Sequence, residues 1–180
     1  MTVYVKSHHA TFIHIPKNAG TAISHWLVRE AQGVKVGHKS FGGKHAPHAR
    51  IQATLGHSLG KVIVCVRNPW DRVVSAYHYH MRRGTMEYAT FDDFVMSENY
   101  RCVRKSMLSF FDTADIVLRY ENLNTDFQQV QTLIGSNVPL EIKNESTHAP
   151  YYKYYKSQEM IDVVAKKYAK DIDYFGYHFG

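Results

Sequence analysis

Cysteine is scarce in this sequence, with only Cys65 and Cys102 among 180 residues. Two cysteines so far apart make no disulfide framework, and Cys65 lies inside an apolar run, where it reads as a small buried hydrophobe. A reducing, cytoplasmic setting is expected. Apolar runs are short: none approaches the roughly 18 residues of a membrane span. The stretch from Met1 to Ala10 carries Lys6, His8 and His9 but lacks the apolar centre of a secretory signal. Internal repeats, low-complexity tracts and long linkers are also missing, so one domain over residues 1–180 is expected, large enough for a real core. Acidic charge is in the minority, 16 Asp and Glu against 22 Lys and Arg, a formal net charge of +6. That balance suits an anionic ligand or partner. The basic residues are nevertheless dispersed, with small clusters only at Arg82-Arg83 and from Arg101 to Lys105. No zinc-finger, homeodomain or RNP pattern is present, so nucleic acid is not the expected partner.

What the chain does contain is an organising stretch from Thr11 to Ser24. It starts as an apolar, β-branched run from Thr11 to Ile15, is stopped by Pro16, and passes through the small-residue loop Lys17, Asn18, Ala19, Gly20 and Thr21. From Ala22 the pattern turns helical, with Ile23, Trp26 and Leu27 at i, i+3, i+4. Strand, tight loop and helix start aim free backbone N–H groups and the positive end of a helix dipole at one point. With Lys17 at the loop and the Thr21 hydroxyl at the helix entrance, the stretch reads as a phosphate cradle. The competing reading is an ordinary strand-to-helix turn, in which Gly20 and Thr21 serve turn and cap chemistry only.

Farther along, a helix is expected over about 21–31, then a Gly-, His- and Lys-rich loop from Gly33 to His48, then a short helix from about Pro47 to Leu55. Lys61 to Val66 is a near-continuous apolar run and reads as a strand buried on both faces. A helix follows from about Trp70 to Arg83, with Pro69 near its start and Asp71 in its first turn. A helical stretch covers Phe91 to Met96, and Ile116 to Tyr120 reads as a third strand. Another helix runs from Glu121 to about Ile134, with Gly135 as its C-cap. The last clear helix is expected over Ser157 to Lys170, before an aromatic segment, Ile172 to Phe179, that should pack down. Strands alternating with helices predict an α/β fold with a central parallel sheet flanked by helices, ligands binding at the carboxyl ends of its strands.

Arg67 directly follows the second strand, and Ser75 comes eight residues later on the next helix. Arg67 could fork onto a phosphate with the Ser75 hydroxyl as a further donor; the alternative is a surface arginine and a helix-face serine. Taken with the Lys17 loop, the pair implies a ligand with two separated phosphate groups. At this point a family resemblance is plain. Ile15-Pro-Lys-Asn-Ala-Gly-Thr21 resembles the 5′-phosphosulfate loop of the sulfotransferases that use 3′-phosphoadenosine 5′-phosphosulfate (PAPS). Val66-Arg-Asn-Pro-Trp-Asp-Arg-Val-Val-Ser-Ala-Tyr77 resembles their 3′-phosphate motif. Arg119 to Leu123 and Asp171 to Tyr177 also resemble the family, within its carbohydrate-sulfotransferase branch, in a compact microbial or viral form. The resemblance implies a P-loop-like three-layer fold. A nucleotide kinase P-loop is the poorer match, because that motif places Lys after its second Gly whereas Lys17 precedes Gly20.

The resemblance implies transfer of a sulfuryl group from PAPS to an acceptor hydroxyl, with a saccharide acceptor suggested by the branch and PAP (adenosine 3′,5′-bisphosphate) as product. Lys17 would neutralise the leaving 5′-phosphate. The backbone N–H groups of Asn18, Ala19, Gly20, Thr21 and Ala22 would hold it with the Thr21 hydroxyl, Arg67 and Ser75 would hold the 3′-phosphate, and Tyr120 would lie near the adenine. No metal is called for. The acceptor also needs a base. His45, in Gly43-Lys-His-Ala-Pro47, best matches the family's pattern; His48 and His38 are the next candidates, with His57 in the same interval. His14 reads as a core or sheet-edge residue, and His78 and His80 as a packed or solvated helix face. Residues 144–155 are a candidate lid or, equally, a tyrosine-rich loop packed on the sheet, to which His148 or Lys153 could add a basic group. A PAP- or nucleotide-binding module without turnover is the alternative function, and a nucleotide kinase a more distant one. Oligomeric state is left open.

Overall fold

The computed structural model of the chain describes residues 1–36, 45–56, 58–141 and 148–180, with only the backbone described at Thr54 and Leu55. His38, His57 and residues 144–147 of the lid candidate lie outside the described residues. In chain order the elements are β1 (Val3–Val5), β2 (Ala10–Ile13), α1 (Gly20–Glu30), β3 (Val34–Lys35), α2 (His48–Leu55), β4 (Lys61–Val66), α3 (Pro69–Arg82), α4 (Phe91–Met96), β5 (Ile116–Arg119), α5 (Leu123–Asp126), α6 (Gln128–Ile134), α7 (Gln158–Lys167) and α8 (Ala169–Phe175). The chain is a mixed α/β protein whose central sheet, of mostly parallel strands, is flanked by helices. It divides into two compact units, one formed by Met1–Val66 with Met107–Lys143, the other by Arg67–Ser106 with Asn144–Gly180.

The first unit holds the sheet, in the order β3-β1-β2-β4-β5. β2, β4 and β5 pair in parallel, Ile13 opposite Val64 and Val66 opposite Arg119. β1 runs against β2 and β3. Five of the six residues of β4 are buried, as expected of a central strand covered on both faces. Alternation then sorts the side chains. Phe12, Ile63, Cys65 and Leu118 meet Ile23, Trp26 and Leu27 of α1 and Phe127, Val130 and Ile134 around α6 in one core. Trp26 stands edge-on to Phe127 with centroids 4.9 Å apart, and its indole N–H donates to the Val138 carbonyl at 2.9 Å. Each such side chain stabilises by about 1.5–3 kcal/mol through burial. Asp115 fixes the register of β5, accepting from Val62 N at 2.8 Å.

The second unit packs α3, α4, α7 and α8 around a core that includes Trp70, Val73, Val74, Phe94, Tyr100, Tyr155, Val164 and Tyr168. Thr90 and Asp93 cap α4 reciprocally, and Ser157 caps α7 by accepting from Met160 N. Arg72 is fully buried and donates to the Lys105 carbonyl at 3.0 Å. Tyr168 OH donates to Val103 O at 2.5 Å, and Ser106 Oγ donates to the buried Asp171 carboxylate at 2.5 Å.

Several expectations are corrected in detail. β1 falls in a stretch to which no element was assigned: Val3 and Val5 are buried and Tyr4 is not, but three alternating residues are too short a signal without their partner β2. The Ser157–Lys170 helix breaks at Tyr168 (φ −111°, ψ 23°), whose ring stacks on Tyr100, and restarts as α8. The 121–134 helix begins as a 3-10 turn, Tyr120–Asn122.

Burial pushes the phenols of Tyr100, Tyr155 and Tyr168 above their ordinary pKa of 10.0. The folded chain holds these protons more tightly than the unfolded one. Their contribution to stability is complete below pH 10 and is lost as pH rises beyond it. The urea midpoint is therefore expected to be lower at about pH 11 than at about pH 8; equal midpoints would contradict the burial of these phenols.

Candidate functional site

The Lys17 loop leaves β2 and enters α1 in an unusual backbone conformation. Lys17 (φ 69°) and Ala19 (φ 54°) are both left-handed, although neither is glycine, and Asn18 lies between them. A left-handed alanine or lysine costs on the order of 1 kcal/mol and persists only when its surroundings impose it. Alternating hand along successive residues turns consecutive N–H groups toward one side, the geometry of an anion nest. α1 then starts at Gly20 with Ala19 as N-cap and no side-chain cap, so its first N–H groups are not satisfied by capping.

Asn18 explains what holds the strained loop. Its side chain is 1% exposed, and Nδ2 donates to Cys65 O at 2.8 Å and approaches Met107 Sδ at 3.1 Å. The loop is thereby tied to the end of β4. Oδ1 is buried without a hydrogen-bond partner among the described residues. Gly20 is required for a different reason: a Cβ there would run into the His14 ring. Lys17 is half-buried, Thr21 is exposed on the first turn of α1, and Ala22 is buried.

His45 joins this arrangement through His14. Its Nδ1 lies 3.0 Å from the His14 carbonyl, and the two rings meet edge-on with centroids 4.7 Å apart. A carbonyl only accepts, so Nδ1 carries the hydrogen and the neutral ring keeps its lone pair on Nε2, the state a general base needs. His14 is buried, with its Nδ1 against the Met1 amino group. Its sequence reading as a core or sheet-edge histidine thus misses its contact with the candidate base. His48 instead sits at the start of α2 with Nδ1 4.0 Å from the Asp112 carboxylate. Tyr120 is half-buried in the turn after β5 and packs on the core of the first unit.

In the second unit, Arg67 is 5% exposed, and its Nε donates to Asp71 Oδ2 at 2.8 Å, an i,i+4 ion pair that orients the guanidinium. Asn68 caps α3 by accepting from Trp70 N, and Pro69 occupies the first helical position. Ser75 is buried on the second turn. Asp71 was read from the sequence only as a favourable first-turn residue of the helix, not as the partner of Arg67, although their four-residue spacing is a readable signal; Asn68 was not singled out. His78 and His80 prove to be packed: His78 Nε2 lies 2.9 Å from Tyr154 OH and its ring stacks on His148 at 4.8 Å, while His80 Nδ1 lies 2.9 Å from Thr85 Oγ1. Burial, then His148 and Arg82, lowers the pKa of His78 below its ordinary value.

The family model described as the sulfotransferase domain matches residues 35–160, more than half of the chain and inclusive of His45, Arg67, Ser75 and Tyr120. The chain belongs to the sulfotransferase domain family. An uncharacterised protein of Archaeoglobus fulgidus is 29% identical over 106 residues, covering 54% of this chain and 88% of that one. A crystal structure of a sulfotransferase from Alicyclobacillus acidocaldarius aligns at 18% identity with a TM-score of 0.43, over 72% of this chain. The chain spans 59% of that protein's length. Among the described residues, no helix is long and apolar enough to cross a membrane.

Proposed function

We propose that this chain transfers a sulfuryl group from PAPS to an acceptor hydroxyl, most consistent with a saccharide, by in-line displacement. The observation that carries the reading is the contact chain from cradle to base: the Lys17–Gly20 loop abuts His14, and His14 O fixes the His45 tautomer. The donor set fits a bisphosphorylated nucleotide. A nest of N–H groups, an uncapped helix start, Lys17 and a buried forked cation all favour anions. PAPS, when bound, supplies the activated sulfuryl group on its 5′-phosphate.

The residues then divide the work. Lys17, with the N–H groups of Asn18 to Ala22 and the Thr21 hydroxyl, binds the 5′-phosphate and offsets the charge that grows on it as the sulfuryl bond breaks. Arg67 and Ser75 bind the 3′-phosphate, and Tyr120 lies along the adenine. His45 Nε2 takes the proton of the acceptor hydroxyl. Because Asn18 and Asp71 already orient the loop and the guanidinium, little reorganisation is left for the moment of reaction.

Arg67→Ala tests the nucleotide assignment. Removing a charged hydrogen-bonding partner of a phosphate costs about 1.5–3 kcal/mol, so PAP affinity measured by calorimetry should fall about 10- to 100-fold. Unchanged affinity would remove Arg67 from the site.

A further inference from the structure

Asn68, the residue after Arg67, makes more bonds than a helix cap needs. Oδ1 caps α3, accepting from Trp70 N at 3.1 Å. Both amide hydrogens go elsewhere: Nδ2 donates to His178 O at 2.9 Å, 110 residues away in sequence, and to Tyr151 OH at 3.3 Å. Tyr151 OH in turn donates to Gly180 O at 3.0 Å and accepts from Gly180 N at 3.1 Å. Between these two anchors the Phe179 ring stands edge-on to Trp70, Tyr151 and Tyr155, at centroid separations of 5.6, 5.7 and 5.3 Å. Tyr155 OH completes the clasp by donating to Trp70 O at 3.0 Å.

The clasp closes on the first turn of α3, where Asp71 orients Arg67. A forked guanidinium recognises phosphate only within a narrow range of angles. The entry of the chain into α3 decides that angle, and the cap alone leaves it to the local backbone. We infer that residues His178–Gly180 are a positioning and specificity element for Arg67: seating Phe179 against Trp70, Tyr151 and Tyr155 sets the guanidinium for a 3′-phosphate, and so sets discrimination between adenosine 3′,5′-bisphosphate and adenosine 5′-phosphate. This rests on the reading of Arg67 as a phosphate ligand.

The test measures both nucleotides by calorimetry on the full chain and on Phe179→Ala and Tyr151→Phe. Tyr151→Phe keeps the ring against Phe179 and removes only the hydroxyl, so it carries the test if Phe179→Ala does not fold. The wild type is expected to bind the bisphosphate more tightly than the monophosphate. Phe179→Ala should lower that affinity ratio about ten-fold and Tyr151→Phe about three-fold, with monophosphate affinity unchanged, the loss expected when a charge-assisted contact is misaligned. A preserved ratio in the variants overturns the inference while leaving the Arg67 assignment intact. Equal weakening of both nucleotides also overturns it, since that is the mark of a purely structural role. A wild type that does not prefer the bisphosphate overturns the Arg67 reading itself.

Discussion

Replacing His45 with alanine is expected to lower kcat by about 10²- to 10⁴-fold, the usual contribution of a positioned general base, while PAP binds with unchanged affinity. The expectation follows from the ring's geometry. Its Nδ1 is committed to the His14 carbonyl, which leaves Nε2 as the proton-accepting atom. The cradle groups that would hold the nucleotide, from Lys17 to Ala22, lie on a different segment of backbone, and Asn18 holds that segment through Cys65 O rather than through His45. The variant loses the half-buried hydrogen bond to His14 O, a contact of about 1 kcal/mol, and thermal unfolding measures what the change costs the fold. The pair of readouts separates the explanations. A fall in kcat without a fall in affinity or thermal stability assigns the base, whereas retained turnover would move that role to another residue. His48, whose Nδ1 lies 4.0 Å from the Asp112 carboxylate, is the next residue to replace in that case.

Arg72→Leu should produce the largest loss of stability, about 3–5 kcal/mol, the range for breaking a buried charge pair from one side. Arg72 is fully buried; burial pulls its pKa below the ordinary value, opposed by Tyr168 and Asp171. Taking the guanidinium away removes its favourable charge interaction with the Asp171 carboxylate, which is itself 0% exposed and accepts from the Ser106 hydroxyl. The double variant Arg72→Leu with Asp171→Asn should recover much of the loss, because no uncompensated charge remains. Exposed pairs set the contrast. Lys156 and Asp92 lie 3.2 Å apart with side chains 70% and 40% exposed, and such pairs contribute about 0–1 kcal/mol. Urea unfolding of the variants measures all of this; a single Arg72→Leu change within 1 kcal/mol of the wild type would show that the buried network carries no structural weight.

The parts of this molecule that were legible in the sequence are those whose cause is local. β4 was readable to the residue because Val62 to Val66 is apolar throughout, and α4 was expected with the bounds it has, Phe91–Met96, where the structure adds the Thr90–Asp93 capping pair. The Lys17 loop announced itself through small residues, a lysine and the switch from strand to helix pattern. What escaped notice has its cause far away in the chain. β1 needs β2 beside it before three residues become a strand. α7 stops because the Tyr168 ring is drawn against Tyr100, a choice that helix propensity cannot express. Within the candidate site, the residue types were readable but their supports were not. Nothing in the spacing of His14, Gly20 and His45 shows that one ring fills the space a Cβ would need and that its carbonyl sets the tautomer of the next. Likewise Asn68 looks like an ordinary cap until His178, 110 residues on, is brought to its amide.

The measurement that bears most directly on the proposed function is calorimetric titration of PAP, and separately of ATP, into the purified chain without metal. The proposed function predicts tight PAP binding without a divalent cation and much weaker ATP binding, because the groups proposed to bind phosphate are lysine, arginine and backbone N–H groups, with Arg67 and Ser75 assigned to a 3′-phosphate that ATP lacks. Absence of PAP binding, or ATP binding that is tighter and requires magnesium, would contradict it and return the Lys17 loop to a kinase-like reading.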